Sequence, residues 1–122
     1  MSIILVINPG STSTKLALFR DSEIIGEHTI RHSPQELNQF ASLYEQSAFR
    51  KALIVSFLES AGHPLTEIDA IIGRGGMLRP LEGGTYAVND DMIEDLRSAK
   101  YGEHASNLGA ILAKELALKN GK

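Results

Sequence analysis

Between two apolar runs near its start the chain reads Asn8-Pro9-Gly10-Ser11-Thr12-Ser13-Thr14-Lys15. A glycine, four hydroxyl side chains and a lysine within one turn supply backbone N–H groups, hydroxyl donors and a cation, the donor set that a chain of phosphates needs. A Walker loop would carry glycine at both ends of its GxxxxGK[ST] spacing and lead into a helix. Here the first glycine is missing and Lys15 opens a strand, which disfavours Walker chemistry. Composition alone also allows a polar hairpin between two core strands, and the density of hydroxyls with the lysine tips the balance toward phosphate.

Two later segments offer related chemistry. In Gly73-Arg74-Gly75-Gly76 the glycines permit close approach of a ligand, and Arg74 presents a planar fork suited to carboxylate or phosphate. In Glu103-His104-Ala105-Ser106-Asn107 a helix begins, and the free N–H groups of a helix start favour anions. His104 adds a donor or a positive charge there. Each segment also has a plain structural reading, a glycine-rich turn with a solvated arginine and a helix cap. Arg79 is a second-line cation or a solvated one. His28, His32 and His63 lack the paired spacing of a metal site and receive no role. Asp90, Asp91, Glu94 and Asp95 read as helix-start charges rather than a catalytic pair.

The elements that must position these groups follow from pattern. Ile3 to Ile7 is an all-apolar, β-branched run stopped by Asn8-Pro9-Gly10, a strand buried on both faces. Lys15 to Arg20 returns antiparallel, and Ile24 to His32 gives a third extended stretch, so the opening third is a three-stranded meander. Ser33-Pro34-Gln35-Glu36 joins a cap serine, a proline at the first helical position and a glutamate at the third, a helix start. Leu37, Phe40, Ala41 and Tyr44 continue it, Ser47 offers a second cap, and Phe49, Leu53, Phe57, Leu58 and Ala61 carry an apolar stripe to Gly62. Two helices or one bent helix fit equally.

Ile68 to Ile72 is a further short strand, and after a helical crossover it is expected parallel to the first. That places Gly73-Arg74-Gly75-Gly76 beside Asn8-Pro9-Gly10, at the carboxyl ends of neighbouring strands where open α/β sheets bind ligands. Tyr86 and Val88 mark a minor extended piece. Asn89 or Asp90 starts a short helix to about Lys100, and a last helix runs from near His104 through Leu118 to Asn120-Gly121. The fold class is therefore α/β, with a mixed sheet.

Composition bounds the rest. With 122 residues, 43% apolar, the chain suits one globular domain that buries its own core. A formal charge of −3 without blocks of like charge argues against nucleic acid or a membrane surface as partner. Without cysteine, thiolate metal sites and thiol nucleophiles are excluded from the chain. No signal-like or membrane-spanning run is visible, and the expected location is the cytoplasm.

Strand, Asn-x-Gly-Ser-x-Ser-x-Lys hairpin and strand together resemble the opening of the acetate and butyrate kinase family, within the actin-like ATPase superfamily. Gly73 to Pro80, Gly83-Gly84-Thr85-Tyr86, Asp95-Leu96-Arg97 and Tyr101 to Ala110 are similar to its butyrate kinase branch, where acetate kinases show instead a His-Arg and a Leu-His-Asn-Pro pattern. The resemblance runs from Ile3 to Gly121 and covers roughly the first third of the family protein, so residues 1–122 are expected to be the amino-terminal portion of an acetokinase-type domain, an RNase H-like half-domain without the remaining two thirds. It implies reversible transfer of the γ-phosphoryl group of ATP to butyrate, or a related short or branched-chain fatty acid, with Mg²⁺.

By the same resemblance Asn8, Gly10, Ser11, Ser13 and Lys15 line the phosphates. Asn8, standing where other actin-like enzymes usually place an aspartate, belongs to the metal-phosphate end. Arg74, with Gly75, Gly76 and Asn107, holds the substrate carboxylate, and His104 donates to the transferring group, so that Arg74, His104 and Lys15 form the catalytic set. The implied partners are a small carboxylate, ATP and the remaining carboxy-terminal region of the same protein; homo-oligomer formation is left open. Activity of this piece alone is expected to be weak or undetectable, because phosphoryl transfer in this architecture occurs in a cleft between two domains. The alternative is a noncatalytic anion-binding or assembly module of the same fold.

Overall fold

A computed structural model describes residues 2–40, 44–73, 90–97 and 107–119. Strands β1 (Ile3–Pro9), β2 (Ser13–Arg20) and β3 (Glu23–Arg31) form the meander, and β4 (Ala70–Gly73) joins the free side of β1, giving the order β3-β2-β1-β4. Pairing of β1 with β2 is antiparallel and pairing of β1 with β4 is parallel, as the crossover requires. Helices α1 (Pro34–Leu37), α2 (Ser47–Ser60), α3 (Asp90–Arg97) and α4 (Leu108–Lys119) complete the described elements. The mixed sheet and RNase H-like α/β arrangement expected above are what the structure has.

Alternation in β1 and β2 decides which face is covered. Leu5 and Ile7, with Leu16 and Leu18 on the neighbouring strand, are buried against Ile54 and Leu58 of α2 and Leu108, Ile111, Leu112 and Leu116 of α4. On the opposite face Val6, Asn8 and Ala17 are half-buried and Lys15 is exposed. Because side chains alternate along a strand, Asn8 and Lys15, which are register partners, share that second face.

Each end of the sheet is tied. At the end where β1 begins, Asp69 accepts from the Ile3 N–H through Oδ2 at 2.8 Å and donates its own N–H to Ile3 O at 2.8 Å. Asp21 does the same with Ser2, accepting at 2.9 Å and donating at 2.8 Å, and holds the β2–β3 turn with φ at 56°. At the other end lie the 10–13 turn, the last residues of β3 and Gly73.

Several boundaries differ from the sequence reading. The strand after the polar turn begins at Ser13 rather than Lys15, since Thr14 is buried and paired. The fourth strand begins at Ala70, because Leu65–Glu67 form a 3₁₀ turn that delivers a buried Ile68. The capping box at Ser33 and Glu36 forms, with both reciprocal bonds, but its helix lasts one turn. A separate helix α2 follows a 3₁₀ turn at Tyr44–Gln46, so of the two alternatives it is two helices.

Ser47 is not the second cap. Gln46 holds that position, makes no side-chain cap bond, and uses its amide elsewhere. The buried row of α2 is Ser47, Arg50, Ile54 and Leu58, so Phe49, Leu53 and Phe57 flank it half-buried rather than form its centre. Phe57 lies flat against His28, and Phe49 sits between His32 and Phe40. Tyr86 and Val88 lie outside the described residues, as does residue 104, where the last helix was expected to start; its described part begins at Leu108.

Candidate functional site

The hairpin between β1 and β2 is held from beneath by a residue the sequence reading left unremarked. Arg50 is fully buried at 0% exposure, in the row of α2 that faces the sheet. Its Nη1 donates to Gly10 O at 2.8 Å, Ser13 O at 3.0 Å and Thr14 Oγ1 at 3.3 Å. Nη2 and Nε both donate to Gln46 Oε1, at 2.9 and 3.2 Å, and Nη2 makes a longer 3.5 Å contact with Ser11 O. These partners are neutral oxygens, so the guanidinium charge is solvated by dipoles instead of cancelled by a carboxylate. Burial draws its pKa down to about 10, which leaves it charged at neutral pH.

Thr14 extends the network. Its Oγ1 shares a 2.8 Å hydrogen bond with Nε2 of His32, a residue only 4% exposed, while the His32 N–H donates to Thr12 O at 2.8 Å. Burial first, then the nearby Arg50 charge, hold the His32 imidazole below its ordinary pKa of 6.5, with Glu36 pulling the other way. A neutral imidazole is what the neighbouring guanidinium tolerates. His32, given no role from sequence, thus braces the hairpin from the β3 side. The signal was faint: an arginine inside an apolar stripe, four residues after a glutamine.

Gly10 closes the turn by donating its N–H to Ser13 O at 2.7 Å. A side chain on Gly10 would lie 3.2 Å from Ser13 Oγ, so the glycine leaves room for that hydroxyl. Ser11 and Thr12 are exposed at the tip, and among the described residues their N–H groups meet no acceptor. Asn8 and Lys15 lie side by side below the tip, and with Val6, Ala17, Glu27 and Thr29 they line a shallow groove of about 280 Å³. Asn8, Gly10, Ser11, Ser13 and Lys15, the residues expected to line phosphates, therefore occupy one continuous surface, the tip and the adjoining sheet face.

Of the second and third segments the structure describes Gly73, at the end of β4, and Asn107, just before α4. Gly73 pairs with Ile7, one residue before Asn8. A Cβ on Gly73 would lie 2.1 Å from Gly109 O and 2.3 Å from Gly109 C, so the end of β4 is pressed directly on the first turn of α4. Two glycines facing each other allow backbone to touch backbone. Asn107, 2% exposed, stands at the head of that helix. Arg74, Gly75, Gly76 and His104 lie outside the described residues. The structure thus sets Gly73, paired next to the hairpin, against the first turn of the helix that follows Asn107.

Metal ligation was expected from Asn8 alone. Among the described residues no group of three or more histidine, aspartate or glutamate side chains is placed to hold an ion. Nor, among them, is any helix long and apolar enough to cross a membrane.

Comparison with known proteins follows the same lines. No protein-family model matches the chain. It is 54% identical over 119 residues to a probable butyrate kinase of Enterococcus faecalis, a match covering 98% of this chain and 32% of that protein. Probable butyrate kinases of Listeria innocua and Clostridium botulinum are each 50% identical, over 118 and 113 residues, covering 97% and 93% of this chain and 33% and 32% of theirs. Among solved structures, YeaZ from Pseudomonas aeruginosa matches with a TM-score of 0.54 at 15% identity, over 100% of this chain and 41% of that one, a likeness of fold. Over nearly all of its own length the chain is a homologue of probable butyrate kinases, and it spans about a third of theirs.

Proposed function

We propose that this chain forms the phosphate-gripping and carboxylate-gripping part of a butyrate kinase, catalysing reversible phosphoryl transfer from ATP to butyrate or a related short or branched-chain acid, with acyl phosphate and ADP as products. The observation that carries this reading is the joining of the end of β4 to the head of α4 at one end of the sheet by the Gly73–Gly109 contact beside the 8–15 hairpin, in a stretch 54% identical to a probable butyrate kinase.

The chemistry asks for little proton transfer. A carboxylic acid of ordinary pKa is already ionised at neutral pH, so the nucleophile needs no general base. The obstacle is bringing an anion onto a polyanion. N–H groups and cations fixed in advance lower that barrier by opposing the charge as it shifts between oxygens in an in-line transfer. In this reading the N–H groups of Ser11 and Thr12, the hydroxyls of Ser11 and Ser13 and the ammonium of Lys15 hold phosphate oxygens, while Arg74 holds the acid with Gly75, Gly76 and Asn107. His104 donates to the group in transfer. Magnesium, carried by the nucleotide phosphates and met by Asn8, would neutralise charge on them; the outward N–H groups and the nearby lysine suit such a ligand.

The test mixes the chain with ATP, Mg²⁺ and butyrate and traps acyl phosphate with hydroxylamine, alone and after adding a polypeptide comprising the rest of a homologous butyrate kinase. Product is expected mainly in the complemented mixture and should fall about a hundredfold or more with Arg74→Ala, the scale of losing one pre-set charge donor. Product insensitive to that substitution would overturn the carboxylate assignment. A complemented mixture without product, though both parts are folded and associated, would favour the noncatalytic module.

A further inference from the structure

We infer that Arg50 is a positioning residue for anion binding: by drawing the carbonyls of the 10–13 turn inward it turns the Ser11 and Thr12 N–H groups outward, where they form the phosphate cradle. The inference rests on the phosphate reading of the hairpin and adds to it a residue that touches no phosphate itself.

Peptide planarity supplies the mechanism. In a trans peptide the C=O of one residue and the N–H of the next point in opposite directions, and no described peptide is cis. Gly10 O is held at 2.8 Å from Arg50 Nη1, so the Ser11 N–H must point away from α2. Ser11 O leans toward Nη2 at 3.5 Å, which sends the Thr12 N–H the same way. Thr12 O is taken by the His32 N–H and Ser13 O by both Arg50 and Gly10 N–H. Every carbonyl from Gly10 to Ser13 is thereby committed inside or sideways, and successive N–H groups are left at an exposed tip, an arrangement known to bind anions.

Arg50 is suited to this because its fork is rigid and its aim is fixed. Gln46, one turn earlier on the same helix face, receives both Nε and Nη2 and leaves Nη1 directed at the turn. A lysine would keep the charge but, with its three donors on one nitrogen, could not span Gln46, Gly10 and Ser13 together.

The experiment follows backbone amide resonances of the ¹⁵N-labelled chain while sodium tripolyphosphate is added, for the parent, Arg50→Lys and Lys15→Ala. The parent should bind with its largest shifts at Ser11 and Thr12. Arg50→Lys should move those two resonances before any ligand is added, leave the α4 amides in place, and weaken binding about tenfold, the equivalent of losing one charge-assisted contact. Lys15→Ala should weaken binding without moving them. A folded Arg50→Lys chain with parent-like Ser11 and Thr12 resonances, or with parent-like affinity, overturns the inference and leaves the phosphate reading standing. A parent chain that does not bind at the hairpin overturns both, and that outcome is read from the parent alone. Should Arg50→Lys fail to fold, Gln46→Leu decides, since it unhooks the guanidinium while keeping its charge: the same two resonances should move with roughly threefold weaker binding, and parent-like behaviour would overturn the inference.

Discussion

Arg50 and His32 sit together beneath the hairpin, the guanidinium charged at neutral pH and the imidazole held below its ordinary pKa, with Thr14 between them. Because the folded-state pKa of His32 lies below that of the unfolded chain, protonation is easier after unfolding. Stability from this residue is therefore unaffected above about pH 7.5 and declines as the pH falls through 6.5, where the unfolded chain binds the extra proton. Urea denaturation between pH 8 and pH 5 should show this decline, and His32→Gln should flatten it; an unchanged slope in the variant would assign the decline to other groups. Neither residue was legible as part of the site. A single histidine outside any metal spacing carries no signal, and an arginine within Phe49, Leu53 and Phe57 disappears among apolar neighbours. The hydroxyl-rich turn was legible, because Ser11, Ser13 and Lys15 are donors by type, whatever lies below them.

At the scale of elements, the contact between β4 and α4 is the most exacting. Gly73→Ala would drive a methyl group into the Gly109 backbone, which cannot rotate aside as a side chain would, and should cost about 3 kcal/mol with loss of phosphate binding as the two ends separate. Gly26 on β3 is the matched control, since a Cβ there meets nothing within 4 Å, and Gly26→Ala should change stability by no more than about 0.5 kcal/mol. Equal effects at both positions, measured by denaturant midpoint, would remove the special status of the β4–α4 contact. A second clamp lies at the opposite end of the sheet: Asp69→Ala deletes the bond to the Ile3 N–H and should cost about 1–2 kcal/mol in the same assay. Strand order and the parallel pairing of β4 followed from apolar runs, turn residues and the crossover rule. The start of α2 did not, because Ser47 offers a cap by type whereas Gln46 takes the cap position with its amide committed to Arg50.

For the molecule as a whole, what matters is that one end of the sheet gathers the 10–13 turn, the end of β4 and the head of α4, while the opposite end holds Ser2, Asp21 and Asp69. Parallel pairing made this gathering readable in advance, since two strands running the same way deliver their following loops to one side. The direct backbone contact that tightens it was not readable, because Gly73 and Gly109 look like ordinary turn and helix glycines until they face each other. The most direct measurement adds Mn²⁺·ATP to the ¹⁵N-labelled chain and records which amides its paramagnetism broadens. Selective loss of signal at Gly10 to Ser13, Gly73 and Asn107 to Gly109, with Ser2, Asp21 and Asp69 untouched, is the predicted result; broadening centred on that opposite end, or confined to none of these places, would contradict the account.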